Sequence, residues 1–232
     1  MKPLGPVPSG YGMSGGELAV DGRRLSEIAD REGTPLFVYS SALVRRRMAL
    51  LRDVTPKRLR IHYAVKANPY RPLLQLMRTL TDGFDIASAG ELEIALAAGQ
   101  DPTRISFAGP GKRDAELELA IRSGVTLNVE SAGEARRALE IGERLGERPR
   151  LAIRVNPDFE LRGSGMKMGG GAKPFGIDAA GVPQVARVVI EAGAFSGQNR
   201  VARQRMVYAA LADELAGPVH ALSVKALAPG EA

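Results

Sequence analysis

Lys66 is the first residue whose type and place point to chemistry. It stands in Tyr63-Ala64-Val65-Lys66-Ala67-Asn68, at the end of an apolar, strand-like run that starts at Ile61. Burying an ammonium is costly. Desolvation lowers the pKa of a lysine and makes its amine nucleophilic, which is what a Schiff-base lysine needs. The competing reading is a side chain that snorkels past the strand end into solvent. Spacing alone leaves both open.

Other polar residues sit at comparable places. Asp85 interrupts the apolar stretch Phe84-Asp85-Ile86, and Ser88 and Glu91 follow. Ser88 and Glu91 also have the spacing of a capping box at a helix start, which explains them cheaply but leaves Asp85 unexplained. Glu130, Ser131 and Glu134 repeat the ambiguity in Glu130-Ser131-Ala132-Gly133-Glu134. Arg154, within Leu151-Ala152-Ile153-Arg154-Val155-Asn156-Pro157, carries a charge on a strand and is expected to have an anionic partner. His62 is read as facing away from this group, without a role.

Composition removes many other chemistries. Cysteine is absent and there are two histidines, His62 and His220. Thiol nucleophiles, disulfides and cysteine- or histidine-rich metal sites are excluded, and a Ser-His-Asp triad has little raw material. Gly109-Pro110-Gly111-Lys112-Arg113-Asp114 lacks the upstream glycine and the Ser/Thr of a phosphate-binding loop. The glycine-dense stretch 162–176 fails the dinucleotide spacing, and reads either as a surface loop or as a mobile loop over a site. Lys+Arg 32 against Asp+Glu 26 gives a formal charge of +6, but the basic residues are dispersed, aromatics are 5% and tryptophan is absent. Nucleic-acid binding is not expected. No apolar run approaches the ~20 residues of a spanning helix, and the first twenty residues have no secretory apolar segment. A cytoplasmic protein without membrane association is expected.

A recurring unit must position these residues. Strand-like segments start at Ile61, Phe84, Ile105, Thr126 and Leu151, separated by 23, 21, 21 and 25 residues. Helical apolar spacing fills the gaps, and several of these segments end in glycine. Strand alternating with helix implies βα units and a parallel sheet. Lys66, Asp85, Ser88, Pro110, Glu130 and Arg154 all fall at or just past the C-terminal strand ends. Five successive strands delivering polar groups at one end favour a (β/α)8 barrel over an open sheet with a single switch point. Leu36–Ser40 reads, with Pro35, as a further strand ahead of a helix, residues 1–20 as a loosely attached arm, and the stretch from Asp178 as a helix. Beyond Ala194 the rhythm fails. Residues 201–215 look helical.

Taken together, YAVKAN, FDIASAGELEIALAAG, ISFAGPGKRDAEL, NVESAGEA, RVNP and KPFGI resemble the fold-type III pyridoxal-phosphate decarboxylases, which include diaminopimelate, ornithine and arginine decarboxylases. The order and spacing hold from about Thr34 to Ala194. MKPLGPVPSGYG and DFELRGSGMKMGGGAKPFG look most like the subgroup associated with exosortase-type exopolysaccharide loci. The resemblance implies an α/β fold: a partial alanine-racemase-like barrel with about five clear βα units, and without the family's C-terminal β-domain. It divides the chain into an arm and leading segment (1–33), a pyridoxal-phosphate-binding barrel portion (34–194) and a tail unlike the family (195–232). By match of motif, Lys66 is the Schiff-base lysine. Asp85, Glu91 and Arg154 are cofactor-binding, the last facing the cofactor from the fifth strand.

The implied reaction is decarboxylation of an amino acid, diaminopimelate-like by subgroup and basic amino acids next. Intact members work as homodimers. The family's sixth-strand histidine, its phosphate loop, its Glu-Pro-Gly-Arg segment and its C-terminal cysteine and tyrosine have no counterpart, and His220 does not match. A truncated or frame-shifted origin near Ala194 is therefore expected, with weak cofactor binding and poor turnover by this chain alone. Two other readings stay open: a pyridoxal-phosphate-binding protein that does not decarboxylate, and an interaction fragment that binds a full-length paralogue.

Overall fold

Five short strands form one parallel sheet, in the order β4 (His62–Ala64), β5 (Gly83–Ile86), β6 (Ile105–Phe107), β7 (Thr126–Val129) and β8 (Arg150–Ile153). In this computed structural model, residues 7, 10–156 and 175–191 are described. Each strand pairs with the one before it in sequence. That order never reverses, as a doubly wound sheet would require. The arrangement is a partial barrel of the (β/α)8 kind, as expected.

Between the strands lie α3 (Arg71–Leu80), α4 (Ala89–Ala97), α5 (Asp114–Ser123) and α6 (Ala132–Leu145). They cover one face of the sheet. Alternation along a strand sends successive side chains to opposite faces. Phe84, Ile86, Ile105, Phe107, Leu127 and Val129 are buried on the helical side. Leu74, Leu92, Leu117 and Ala138 pack against most of them from the helices. Phe84, Phe107, Leu74, Leu92, Leu117 and Leu127 are almost wholly buried, and each such side chain contributes about 1.5–3 kcal/mol. The opposite face carries Asp85, Ser106 and Asn128. The Asn128 amide donates to the Ser106 hydroxyl at 2.6 Å.

Local sequence sets the helix limits. Ser88 and Ser131 cap α4 and α6 by accepting the N–H of Glu91 and of Glu134. Gly124 and Gly146 end α5 and α6 with φ of 74° and 68°, in the left-handed region. Helix α2 (Ser41–Val54) precedes the sheet and is capped by Ser40. Its Arg52 pairs with Asp82 at 2.7 Å, and the same Asp82 oxygen accepts the Ile61 N–H at 2.6 Å. Those hydrogen bonds, the backbone one first, hold the Asp82 carboxyl below its usual range.

Three readings of the sequence are corrected. The arm assigned to residues 1–20 is structured from Gly12 onward. β1 (Gly12–Ser14), β2 (Glu17–Val20) and β3 (Arg23–Arg24) make an antiparallel meander that leads into α1 (Leu25–Glu32). Its turns are Gly15-Gly16 and Asp21-Gly22, all four residues at positive φ. These are two-residue hairpin connections. The strand assigned to Leu36–Ser40 is not one. The segment alternates in burial like a strand, with Phe37 89% exposed, but it has no ladder partner among the described residues. The strand from Ile61 is also shorter than expected, because the chain leaves β4 at Ala64 for a single 3-10 turn, Val65–Ala67.

After β8 the chain changes partner. β9 (Val155–Asn156) pairs in parallel with β10 (Ile177–Asp178), and α7 (Val182–Glu191) follows where a helix is expected. Val185 of α7 joins Val129, Ala135 and Ile177 in a second apolar cluster. The glycine-dense stretch up to Pro174, the helix expected at 201–215, and His220 fall outside the described residues.

Candidate active site

Lys66 sits on the turn that follows β4, and the residues of its motif hold that turn. Val65 is fully buried and anchors it from below. The Asn68 N–H donates to the Val65 carbonyl at 3.1 Å. The Tyr63 hydroxyl donates to the Asn68 carbonyl at 3.2 Å. Burial pushes the Tyr63 phenol up, so it stays a proton donor. The Asn68 side chain in turn accepts the Tyr70 N–H at the start of α3. Lys66 itself is exposed, and it makes no hydrogen bond or ion pair with another described residue. Of the two readings left open by the sequence, the exposure of Lys66 fits the side chain that reaches past the strand end into solvent. The strand ends two residues earlier, and its apolar position is taken by Val65.

Asp85 lies on β5, in register with Ala64 of β4. Its Oδ1 is 3.3 Å from His62 Nδ1. His62, given no role by the sequence, thus belongs to the same face. Gly83 makes room for it. A Cβ at position 83 would overlap the Arg104 carbonyl and lie 2.7 Å from His62 Cε1.

Glu91 caps its own helix. Its carboxylate accepts the Ala87 N–H at 2.8 Å, while Ser88 Oγ accepts the Glu91 N–H. Glu134 repeats this on α6, accepting the Glu130 N–H at 2.8 Å. The serine half of the capping box forms in both segments, but each carboxylate takes the N–H one residue before the N-cap serine rather than the serine's own, so the reciprocal box read from the sequence is not completed. A third carboxylate, Glu116, accepts the Arg113 N–H and also the Ala89 N–H of the neighbouring helix. Those backbone donors, Arg113 first, keep Glu116 below the usual carboxylate range.

Arg154 has the anionic partner its charge demands. Its Nη1 is 3.1 Å from Glu130 Oε1, whose side chain is only 5% exposed. The guanidinium carbon lies 5.0 Å from the centre of the Phe175 ring, a cation–π contact. Glu130 also accepts the Gly109 N–H and the Gly176 N–H, both at 2.7 Å. Sequence reading noted Glu130 as a polar strand-end residue without assigning it a partner.

Lys112, in the glycine-containing segment that the sequence already set apart from a phosphate-binding loop, is buried. Its ammonium donates to the Gly109 carbonyl, the Asn128 carbonyl and Glu134 Oε1, each at 2.8 Å. All three protons are used within the protein.

Lys66, Asp85, Glu91 and Arg154 thus lie toward the C-terminal end of the sheet; the last three have partners of their own, and no hydrogen bond or ion pair joins any two of the four. No cluster of histidine and carboxylate residues among the described residues could hold a metal ion. No helix among them is long and apolar enough to cross a membrane.

The comparisons with known proteins agree with the fold. The chain is 46% identical over 146 residues to diaminopimelate decarboxylase of Aquifex aeolicus, covering 62% of this chain and 34% of that one. It is 34% identical over 162 residues to L-glutamyl-[BtrI acyl-carrier protein] decarboxylase of Niallia circulans, covering 69% and 38%. Among solved structures, AQ1208 from Aquifex aeolicus superposes with a TM-score of 0.69 at 32% identity, covering 90% of this chain and 53% of that one. A diaminopimelate decarboxylase from M. jannaschii superposes with the same TM-score at 26% identity, covering 79% and 45%. The chain spans little more than a third of the curated relatives' length. Residues 183–231, including the tail left unassigned by sequence, match the family of BolA-like proteins. Residues 41–194 match the pyridoxal-dependent decarboxylases over their pyridoxal binding domain, and the chain belongs to that family.

Proposed function

We propose that this chain captures pyridoxal 5′-phosphate through Lys66 and takes part in decarboxylation of an amino acid, with a diaminopimelate-like substrate favoured. The observation that carries the reading is Lys66 itself, an exposed amine on a turn pinned by Val65, Tyr63 and Asn68. The donor set fits the group. An accessible primary amine suits an aldehyde, and a guanidinium with most of its N–H donors uncommitted among the described residues suits an anionic or ring acceptor.

When bound, the cofactor supplies an electron sink for the pair left behind by the departing carboxylate. The chain's own residues do the rest. Lys66 would hold the cofactor through its amine. Arg154, fixed by Glu130 and Phe175, offers its remaining donors. Asp85, paired with His62, puts a negative charge on the open sheet face. Glu91 supports the site indirectly, by holding the β5–α4 turn. Assignment to the exosortase-associated subgroup, a cytoplasmic setting and homodimer formation belong to the same reading and rest on resemblance alone. So does weak capture by the isolated chain.

Titration of the purified chain with pyridoxal 5′-phosphate, followed by absorbance and borohydride trapping, tests this. A visible band and a trapped adduct at Lys66, both absent from Lys66→Ala, are expected. Lys66 is exposed, so the variant should fold. No adduct in the parent chain, or an equal one in the variant, would overturn the reading.

A further inference from the structure

We propose that Glu130 is the positioning residue for Arg154, and that the buried Lys112–Glu134 pair acts through it. This rests on the reading of Arg154 as a cofactor-side residue. Arg154 stands between β8 and β9, where the pairing partner of the chain changes from β7 to β10. Its N–H still donates to the Val129 carbonyl at 3.0 Å, while its carbonyl accepts the Ile177 N–H at 2.8 Å. The backbone is therefore held from both sides, but a long guanidinium on a fixed backbone has several rotamers. Glu130 and Phe175 select one of them.

Glu130 is itself held by a closed circuit. Its backbone N–H donates to Glu134 Oε2, and Glu134 Oε1 accepts from Lys112. Lys112 donates to the Gly109 carbonyl, and the Gly109 N–H donates back to Glu130 Oε1. The remaining Glu130 oxygen is taken by the Gly176 N–H. Three charged side chains of this circuit, Glu130, Lys112 and Glu134, are 5%, 2% and 5% exposed. Arg154, at 27%, is the member that opens outward. A neutral amide at 130 could not accept at both ends, because its NH2 would face a backbone N–H.

Glu130→Gln, Arg154→Gln and the double variant, each titrated with pyridoxal 5′-phosphate, give the test. Each single change is expected to weaken capture about tenfold, the scale of lost outer-shell partners elsewhere. The double variant should be no weaker than Arg154→Gln alone, because coupled residues are not additive. A double effect equal to the product of the singles would overturn the proposal. Phe175→Leu leaves the buried carboxylate untouched and covers the case in which Glu130→Gln does not fold. It should weaken capture in the parent and do nothing in the Arg154→Gln background. An equal loss in both would overturn the proposal. Should the parent capture no cofactor, the proposed function fails but this inference is still decided. The Arg154 Nε–H resonance of the free chain is expected to be resolved in the parent and averaged away in Glu130→Gln or Phe175→Leu. Identical spectra would refute it.

Discussion

Lys112 Nζ lies 2.8 Å from Glu134 Oε1, with the two side chains 2% and 5% exposed. The pair links the loop after β6 to the first turn of α6. Removing one partner of such a pair leaves a charge buried alone, at a cost of about 3–5 kcal/mol. Lys112→Met is expected to lower stability by that amount in urea unfolding. The double variant Lys112→Met/Glu134→Leu should recover part of the loss, because it strands no charge.

Tyr63 acts on Lys66 through one hydrogen bond to the Asn68 carbonyl. Tyr63→Phe keeps the ring packing against Phe84 and removes only that bond, worth about 1 kcal/mol. Exchange of the Asn68 amide, which closes the Lys66 turn, should quicken about fivefold. Global stability should fall by no more than the bond itself. Hydrogen exchange read by NMR checks both.

Gly83 carries a side chain's absence that two neighbours require. Gly83→Ala would push its methyl into the Arg104 carbonyl and the His62 ring. Overpacking of this sort costs about 1–3 kcal/mol. His62→Ala should relieve only the ring's share, since the carbonyl remains. Thermal unfolding of the two single variants and the double separates the contributions.

Glu116 gives a pH dependence with a definite sign. Its carboxyl is held low by the Arg113 N–H first and by the Ala89 N–H as well. A carboxyl depressed on folding contributes stability above its unfolded pKa, about 4.3, and loses that contribution as pH falls through the folded value. Glu116→Gln should therefore narrow the stability difference between pH 7 and pH 3. Urea midpoints of parent and variant at those two pH values measure it.

The βα rhythm was legible because each unit carries its own local signals. Ser88 and Ser131 start helices, Gly124 and Gly146 end them, and apolar alternation marks the strands. The N-terminal meander carried equally local signals, Gly15-Gly16 and Asp21-Gly22, and reading those pairs as hairpin turns would have found it. The stretch before α2 has strand-like burial without a ladder partner among the described residues, and a partner is a tertiary fact that alternation cannot supply. The same limit hid Glu130, whose partners Gly109, Arg154 and Gly176 are 21, 24 and 46 residues away. The burial of Lys112 was not legible either, because its glycine-rich neighbours say nothing of what it pairs with. Two of its three acceptors, Asn128 and Glu134, come from the next βα unit.

Helix α7 falls inside two matched spans, since 41–194 and 183–231 overlap there. A side chain can fill one interior at a time. Val185 is 3% exposed beneath the barrel strands, beside Val129 and Ile177. While the barrel is folded, that helix is therefore occupied on its inward side. The shared stretch, residues 183–194, takes in nearly all of α7, so Val185, common to both matches, is already committed to the barrel's interior.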